Sequence, residues 1–522
     1  MSRSARLARL AAVFALFMSG MAAAQDARIG LSSAVTSVDP QFYVIGSNSA
    51  LARNVFDALV NQDDRQQLVP GLATRWTAVD ATTWEFELRQ GVRFHDGSAF
   101  TAEDVAASLR RIPTVKNSPS SFMPFVRAIA GVDIVDPHRI RIRTSGPTPL
   151  LANNLSRIAI LPKGLEAATT DDFNQLRAAA GTGPYRLAEY RPGERIVLTR
   201  NEAYWGEAPR FARVEFRILP NDAARVAALL AGDVDAIENV PSVNLGRLRQ
   251  EPRVRLARAT SNRVMYIHLD TARAESPFVR DRAGNPTPNH LRELKVRQAI
   301  STAIDRRALV ERVMDGEGTA TIQLVPEGYF GHVPGLAPPA ADRETSRRLL
   351  AEAGLPNGFK LTFHAPNDRY PNDEQQAQAI AAMLTRAGIE TAVVTLPAAT
   401  YFTRASALEF SFILGGAAAE TGEASGVLNP LLKTFDAGKG TGTGNRGRWS
   451  NARFDALLDQ ALASVDAGAR EKLLQDATRL AIDDLGVIPL FFLANTWATR
   501  EGFEYRARSD GYTLAENLLR AR

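Results

Sequence analysis

The sequence predicts an α/β protein of two or three domains, and three observations support this prediction. Its 522 residues are more than one hydrophobic core usually serves. Hydrophobic residues make up 45% of the chain and charged residues 23%, which is the balance of a globular protein. Strand and helix patterns alternate between residues 361 and 414, which is the order of βαβ units.

The N-terminus has the pattern of a cleavable export signal. Arg3, Arg6 and Arg9 form a positive region, residues 10–18 are apolar, and the alanines at 22–24 offer a cleavage site. The apolar run is too short to cross a bilayer. We therefore predict that residues 1–24 are a signal peptide and that the mature chain is exported and soluble.

Charge and cysteine content narrow the classes of partner. Without the three signal-peptide arginines, 59 of the 62 basic residues remain against 57 acidic ones, which gives no support to nucleic-acid binding. The chain has no cysteine, which excludes disulfides, thiolate metal sites, a cysteine nucleophile and a lipid-modified N-terminal cysteine. These features favour a protein that diffuses freely in a periplasm.

The first part of the mature chain shows clear local patterns. Apolar residues at 55–60 predict a short helix. Across 84–88 the apolar residues alternate with charged ones, which is the period of a half-buried strand. Residues 94–97 predict a turn, and Thr101 is a good N-cap for a helix that begins with acidic residues.

The segment 181–185 (GTGPY) predicts a fixed, non-helical bend. Glycine reaches positive φ and proline holds φ near about −65°, so we expect the chain to pass here from one domain to another. A phosphate-binding loop is the alternative. The segment lacks both the Gly-Lys-Ser/Thr ending and the third glycine of the nucleotide-binding fingerprints.

Beyond residue 286, strands and helices follow one another as in a βαβ lobe. The apolar patterns lie at 296–304 (helix), 361–363 (strand), 379–384 (helix), 391–396 (strand) and 410–414 (strand). We expect a largely parallel sheet here. The last apolar run, 487–493, predicts a buried strand.

Patterns of reactive groups do not favour an enzyme. None of the six histidines pairs with another at i, i+4, and there is neither an HExxH nor a G-x-S-x-G sequence. We expect no catalytic residues, no metal site and no cofactor.

Taken together, the motifs of the chain resemble those of the extracytoplasmic solute-binding proteins of family 5, the peptide and nickel class that serves ABC importers. The matching motifs run through nearly the whole mature chain in one order. They are 37–41 (SVDPQ), 69–76 (VPGLATRW), 84–88 (WEFEL), 91–97 (GVRFHDG), 102–105 (AEDV), 181–185 (GTGPY), 200–205 (RNEAYW), 232–235 (GDVD), 296–300 (VRQAI), 303–306 (AIDR) and 488–490 (IPL).

The resemblance implies the two-lobe fold of a type II periplasmic binding protein, with three domains, mixed sheets and a hinge. The expected domains are lobe I (25–60, 181–285 and 487–522), a smaller inserted domain (61–180) and lobe II (286–486). A small solute or short peptide would bind between the lobes. The closed form would then dock on an ABC permease in the inner membrane, and we expect the binding protein to be a monomer.

The resemblance also places the ligand near residues 415–425. Peptide-binding members have an aspartate after the strand that matches 410–414, where it pairs with the α-amino group of the peptide. Here that loop reads GGAAAETGEAS and has no aspartate. Glu420 or Glu423 can supply the carboxylate, because a buried ammonium needs a counter-charge. The alternative is that both are solvated loop acids.

Four more residues are candidate ligand contacts. Arg446, with Asn445 beside it, can bind a carboxylate through its two-pronged guanidinium, or it can lie on the surface. Trp497 and Tyr43 can be aromatic walls of the site or members of the core. The sequence thus favours a peptide or a related solute with an amine or a carboxylate. A neutral solute such as an oligosaccharide, stacked on Trp497 and Tyr43, and a periplasmic hydrolase are the alternatives.

Overall fold

The computed structural model describes residues 26–521; the predicted signal peptide, residues 1–24, lies outside them. The α-helices of this part are α1 (Gly46–Val55), α2 (Ala102–Arg111), α3 (Met123–Val126), α4 (Leu151–Leu155), α5 (Thr170–Asn174), α6 (Asp222–Ala231), α7 (Ser242–Gln250), α8 (Leu294–Ala303), α9 (Arg306–Ala308), α10 (Arg343–Glu352), α11 (Asp373–Ala387), α12 (Ala398–Ser406), α13 (Ser425–Leu432), α14 (Ala452–Ala463) and α15 (Ala467–Asp483).

The strands of the same part are β1 (Ala27–Leu31), β2 (Val60–Gln62), β3 (Leu68–Pro70), β4 (Ala73–Asp80), β5 (Thr83–Leu88), β6 (Ile129–Asp136), β7 (Arg139–Thr144), β8 (Tyr185–Arg191), β9 (Arg195–Arg200), β10 (Arg213–Ile218), β11 (Ala236–Ile237), β12 (Val254–Leu269), β13 (Glu275–Arg280), β14 (Pro286–Pro288), β15 (Gly318–Ala320), β16 (Phe359–Pro366), β17 (Ile389–Leu396), β18 (Phe412–Ala418), β19 (Ile488–Arg500), β20 (Phe503–Tyr505) and β21 (Leu518–Arg520).

The fold has two lobes joined by one large mixed sheet. The sheet runs β14-β13-β16-β18-β12-β19-β11-β1-β10-β9-β8, with β17 beside β16 and β15 beside β19. The two longest strands, β12 and β19, lie in its middle and pair antiparallel. Strands on the β1 side belong to the first lobe and strands on the β16 side to the second. A separate sheet, β4-β5-β7-β6, belongs to a smaller domain.

Each of these bodies has its own hydrophobic core. One large core lies around β12, β16 and α11, a second around β1, β10 and the C-terminal strands, and a third beneath the four-stranded sheet. In the third core, Trp84, Phe86 and Leu88 of β5 are buried, which confirms the strand predicted from alternation. Separate cores allow the lobes to move as units. The domain bounds given above stay predictions.

The second-lobe sheet is mixed rather than largely parallel as expected. β16 pairs parallel with β17 and β18 through the βαβ connections. β12 pairs antiparallel with β18, β13 with β16 and β15 with β19. The pairs of β12 and β19 arise because these two strands enter the sheet from the first lobe. The predicted helix at 55–60 is also corrected. Helix α1 ends at Val55, and Val60 begins β2, which pairs with β3.

The segment 181–185 joins the smaller domain to β8, and its glycines are needed for close approach. A Cβ on Gly181 would lie 2.0 Å from the Val55 carbonyl oxygen, and one on Gly183 would lie 2.6 Å from the Val55 carbonyl carbon. Neither glycine has positive φ, so the predicted bend forms for a different reason from the one expected. Glycine here lets two backbones touch.

Buried polar side chains hold this segment from three directions. Thr182 donates to Asp57 Oδ2 (2.9 Å), which also accepts from Trp205 Nε1 (2.8 Å). The Gly181 amide donates to His95 Nδ1 (3.2 Å), so the opposite ring nitrogen, Nε2, carries the proton and donates to the Gly183 carbonyl (3.0 Å). Motifs that are far apart in the sequence therefore meet at one point.

Candidate functional site

Strands β12 and β19 cross together from the first lobe to the second. Their pairing shifts register between Thr260 and Val264. Three residues of β12 there lie opposite one residue of β19, which makes a β-bulge. Bulges bend a strand and redirect its side chains. The bulge lies at the crossing and places residues 261–263 between the lobes.

Asn262, the middle residue of the bulge, contacts three parts of the chain. Its backbone N–H donates to the Ser509 carbonyl (2.9 Å), and its own carbonyl accepts from the Ala419 N–H (3.0 Å). Its side-chain amide donates to Gln66 Oε1 (2.8 Å). One residue therefore links the C-terminal segment, the loop after β18 and the loop after β2.

A buried polar network continues from Asn262 across the lobes. The Tyr329 hydroxyl lies 2.6 Å from Gln66 Oε1 and 2.8 Å from Ser509 Oγ. Gln66 Nε2 donates to the Glu420 carbonyl (3.1 Å). The lobes thus meet here through hydrogen bonds, and polar contacts between domains are those that most readily permit relative motion.

A cavity of about 360 Å³ lies in the first lobe and the smaller domain, next to the crossing. Its charged wall residues are Arg53, Asp57, Asp63, Asp64, Arg157, Arg506, Arg508 and Glu516, and its aromatic ones are Phe56, Phe122, Tyr204 and Tyr512. None of its lining residues lies between 286 and 486. Concave walls that mix aromatic and charged groups are typical of small-molecule sites.

Several charges of this cavity already have partners. Arg157 pairs with Glu420 of the 415–425 loop at 3.0 Å, so the cavity wall is linked to the second lobe. Arg508 pairs with Asp510 at 2.6 Å, and both side chains are buried. Burial raises the pKa of Asp57, although the hydrogen bonds that its carboxylate accepts oppose the change.

The facing wall, in the second lobe, carries an arginine and tyrosine cluster beside the 415–425 loop. Its members are Arg263, Tyr266, Arg369, Tyr370 and Arg446. A Cβ on Gly415 would lie 2.6 Å from the Tyr266 ring, and one on Gly416 would lie 2.8 Å from the Tyr370 ring. The two glycines therefore let β18 pack directly against these rings.

This cluster has excess positive charge. Burial lowers the pKa of Arg263, as does the charge of Arg369, whereas Tyr370 and Glu420 raise it. Among residues 26–521, the guanidinium groups of Arg263, Arg369 and Arg446 have no carboxylate within ion-pair distance. Arg369 is exposed, but Arg263 and Arg446 are half-buried, and a charge partly removed from bulk water is costly without a counter-charge. The cluster can therefore receive an anionic group.

The six residues predicted as ligand contacts occupy different environments. Glu420 is exposed and pairs with Arg157. Glu423 is 1% exposed, and both its oxygens accept from Arg470 Nη2 (2.5 and 2.6 Å). Arg446 is half-buried, with its guanidinium 5.4 Å from the centre of the Phe402 ring.

The remaining three lie apart from the two walls. Asn445 is fully buried and donates to the carbonyls of two residues in its own segment. Trp497 is 1% exposed, stacks on Tyr505 and donates to Thr513 Oγ1 (2.9 Å). Tyr43 is half-buried in the loop before α1 and does not line the cavity. A ligand-contact role for each of the six stays a prediction.

Sequence reasoning missed most of the charged wall residues. Arg53 lies in α1 and Arg157 in the turn after α4, where an arginine is ordinary, so no local signal could have identified them. Arg263 did have a local signal, because this charged residue directly precedes the apolar run 264–267 and interrupts the strand pattern. Within residues 26–521 there is no group of three or more potential metal-ligating side chains, and no helix is long and apolar enough to cross a membrane.

The sequence comparisons agree with the geometry. Residues 67–439 match the model of the bacterial extracellular solute-binding proteins, family 5. The chain is 28% identical to the heme-binding protein A of Haemophilus influenzae, over 85% of this chain and 82% of that protein. It is 26% identical to the dipeptide-binding protein of Escherichia coli, over 84% of each chain.

The solved structures share the fold. The structure of HbpA2 from Haemophilus parasuis superposes with a TM-score of 0.82 at 24% identity, covering 95% of this chain and all of that one. The unliganded open form of the periplasmic murein tripeptide-binding protein MppA gives a TM-score of 0.81 at 22% identity, covering 96% and 98%. These neighbours have the same two-lobe arrangement.

Proposed function

We propose, from the premise that this chain belongs to the bacterial extracellular solute-binding proteins of family 5, that it captures a carboxylate-bearing solute in the periplasm. The solute is a peptide or a related compound, held between the two lobes and delivered to an ABC permease. Proteins of this family bind solutes and are not enzymes, and we extend that description to this chain. We also propose that it acts as a monomer.

The observation that supports this choice of solute is the arginine cluster of the second lobe. Arg263, Arg369 and Arg446 lie beside the 415–425 loop without carboxylate partners among the described residues. Arginine binds carboxylates well because its planar group offers parallel N–H donors. The exposed Glu420 lies close enough to act on the pKa of Arg263. Glu420 already pairs with Arg157, but its side chain is 54% exposed, so an ammonium group of the same solute can share this carboxylate.

A neutral sugar is less well supported. That alternative required Trp497 and Tyr43 as stacking surfaces. Trp497 packs inside the first-lobe core against Tyr505, and Tyr43 lies outside the cavity wall. The half-buried charges of Arg263 and Arg446 would also remain without a counter-charge against a neutral solute, which costs binding free energy.

Native mass spectrometry of gently purified mature protein tests the proposal. The compound released on denaturation should carry a carboxylate, and Arg263→Gln should lower its occupancy at least about tenfold because a charged hydrogen-bond partner is lost. Arg141→Gln is the matched control, since Arg141 pairs with Glu85 on an exposed strand of the smaller domain. Release only of compounds without an amine or a carboxylate would overturn the proposal.

A further inference from the structure

The cavity of the first lobe contains a guanidinium group without a counter-charge. Arg53 lines it, and its Nη2 donates to Gln62 Oε1 (3.3 Å) and to the Ser156 carbonyl (3.2 Å). These bonds hold the side chain in place but leave its charge uncompensated. No carboxylate of residues 26–521 forms an ion pair with it.

The neighbouring charges make this imbalance larger. Burial lowers the pKa of Arg53 most, and the charge of Arg508 and then that of Arg157 lower it further, against the opposing effects of Tyr512 and Asp510. Asp510 and Glu420 are already paired with Arg508 and Arg157. Of these three guanidinium groups, Arg53 is the one without an ion-pair partner among the described residues. The wall also contains Glu516, but burial raises the pKa of that carboxyl, against the opposing charges of Arg508 and Arg53.

A second observation in the same wall concerns Gln62. The Gln62 side chain is 4% exposed, and its Nε2 is buried without a hydrogen-bond partner among the described residues. The orientation of this amide is set by Arg53, which donates to the oxygen; exchanging oxygen and nitrogen would bring two donors together. Gln62 Nε2 is thus a donor without an acceptor beside Arg53, and a buried donor without an acceptor is costly.

We propose that Arg53 and its surroundings form a second anionic subsite, so that the captured solute carries two acidic groups. One group is held by the arginine cluster of the second lobe and the other, a carboxylate or a phosphate, by Arg53 in the first. The inference rests on the proposed function, since it assumes that the first acidic group binds at the second lobe. A solute with acids at both ends favours closure, because it can satisfy both walls only when they come together.

Tyr512 gives the subsite a further wall. Its ring centre lies 5.8 Å from the Arg53 guanidinium carbon, and Arg53 keeps its donors Nε and Nη1 unengaged by any described residue. The bound acidic group would replace the missing counter-charge in a place where water screens poorly. Its contribution to affinity should exceed that of an exposed ion pair.

Calorimetric titration with matched dipeptides is the first test. Gly-Glu and Gly-Gln differ only in the charge of one side chain. We expect Gly-Glu to bind at least about tenfold more tightly to the wild-type protein, and we expect Arg53→Gln to abolish that difference. Gly-phosphoserine distinguishes the two acids, since a phosphate subsite would bind it more tightly than Gly-Glu. Equal affinities of wild-type protein for Gly-Glu and Gly-Gln would overturn the subsite.

Native mass spectrometry separates the two proposals without a chosen probe. The compound released from the wild-type protein should carry two acidic groups, and both Arg53→Gln and Arg263→Gln should lower its occupancy. Loss with Arg263→Gln but not with Arg53→Gln overturns the second subsite and leaves the proposed function standing. No loss with either variant overturns both. Circular dichroism of each variant must match the wild-type spectrum, because Arg53 also contacts Gln62 and Ser156.

Discussion

The junction at 181–185 and the loop at 415–425 are built on opposite principles. At the junction, buried polar groups are hydrogen-bonded, as in the contacts of Thr182 and Trp205 with Asp57. At the loop, small residues line tyrosine rings, and arginines remain without partners among the described residues. A region whose buried polar groups mostly bond to one another, as these do apart from the Tyr185 hydroxyl, specifies the fold. In the proposed function, the uncompensated charge beside the loop is neutralised by the solute.

This difference between the two regions predicts where substitutions should change stability and where they should change binding. Junction residues pack against backbone that leaves no room for a side chain. The loop lies beside Arg263 and Arg446, which have no carboxylate partner among the described residues. We therefore expect stability to depend on the first region and specificity on the second.

The largest effect should follow from Gly183→Ala. The added Cβ would lie 2.6 to 2.9 Å from the backbone of Val55 and Phe56, so one of two packed segments has to shift. We expect a loss of at least about 4 kcal/mol in the free energy of unfolding, measured by urea denaturation. Gly146→Ala is the control, because a Cβ there meets nothing within 4 Å. A stable Gly183→Ala protein with altered solute preference would contradict the expectation that the junction determines stability and the loop determines specificity.

The next effect concerns the loop itself, where one carboxylate is structural. Glu423 and Arg470 form a buried ion pair whose side chains are 2% and 7% exposed. Glu423→Gln should cost about 3 to 5 kcal/mol, because it leaves the Arg470 charge buried without its partner. Thermal or urea unfolding measures this loss.

Two further variants test whether Glu423 is the structural acid of the loop. Glu420→Gln should cost less than Glu423→Gln, because the Glu420 side chain is 54% exposed and water can partly replace it, although its partner Arg157 is only 6% exposed. Combining Glu423→Leu with Arg470→Met should recover much of the stability, since both buried charges are then removed. If Glu420→Gln proves as destabilising as Glu423→Gln, the division of the loop into a structural acid and an accessible acid is wrong.

The junction could be recognised from the sequence far better than the site could. Glycine, proline and buried tryptophan leave local signatures, so 181–185 and the strand of Trp84 were predicted. The reason why glycine is needed at 181 and 183 was not predicted, because it is the close approach to Val55, a residue more than a hundred positions away. Likewise, Glu420 and Glu423 look alike in sequence, and only the position of Arg470 in α15 makes one of them buried and paired.

The smallest of the three effects is a pH dependence of the junction. Burial lowers the pKa of His95 from 6.5 to about 4. The folded-state pKa lies below the unfolded one, so the unfolded chain binds more protons between these values and stability falls as the pH drops through this range. The cost should approach about 3 kcal/mol near pH 4, because protonation of Nδ1 removes the acceptor for the Gly181 amide.

Urea unfolding between pH 7 and pH 4 measures this dependence. His268 and His364 also have pKa values lowered by burial, to about 3 and about 4. The slope of the unfolding free energy against pH in the wild-type protein should therefore correspond to more than one proton. His95→Gln should reduce the slope by one proton and leave the contribution of the second-lobe histidines unchanged. An unchanged slope in His95→Gln would mean that the ring is not the titrating group of the junction. In that case the scaffold contacts around Gly181 would not depend on pH, whereas the contacts of His268 and His364 in the second lobe still would.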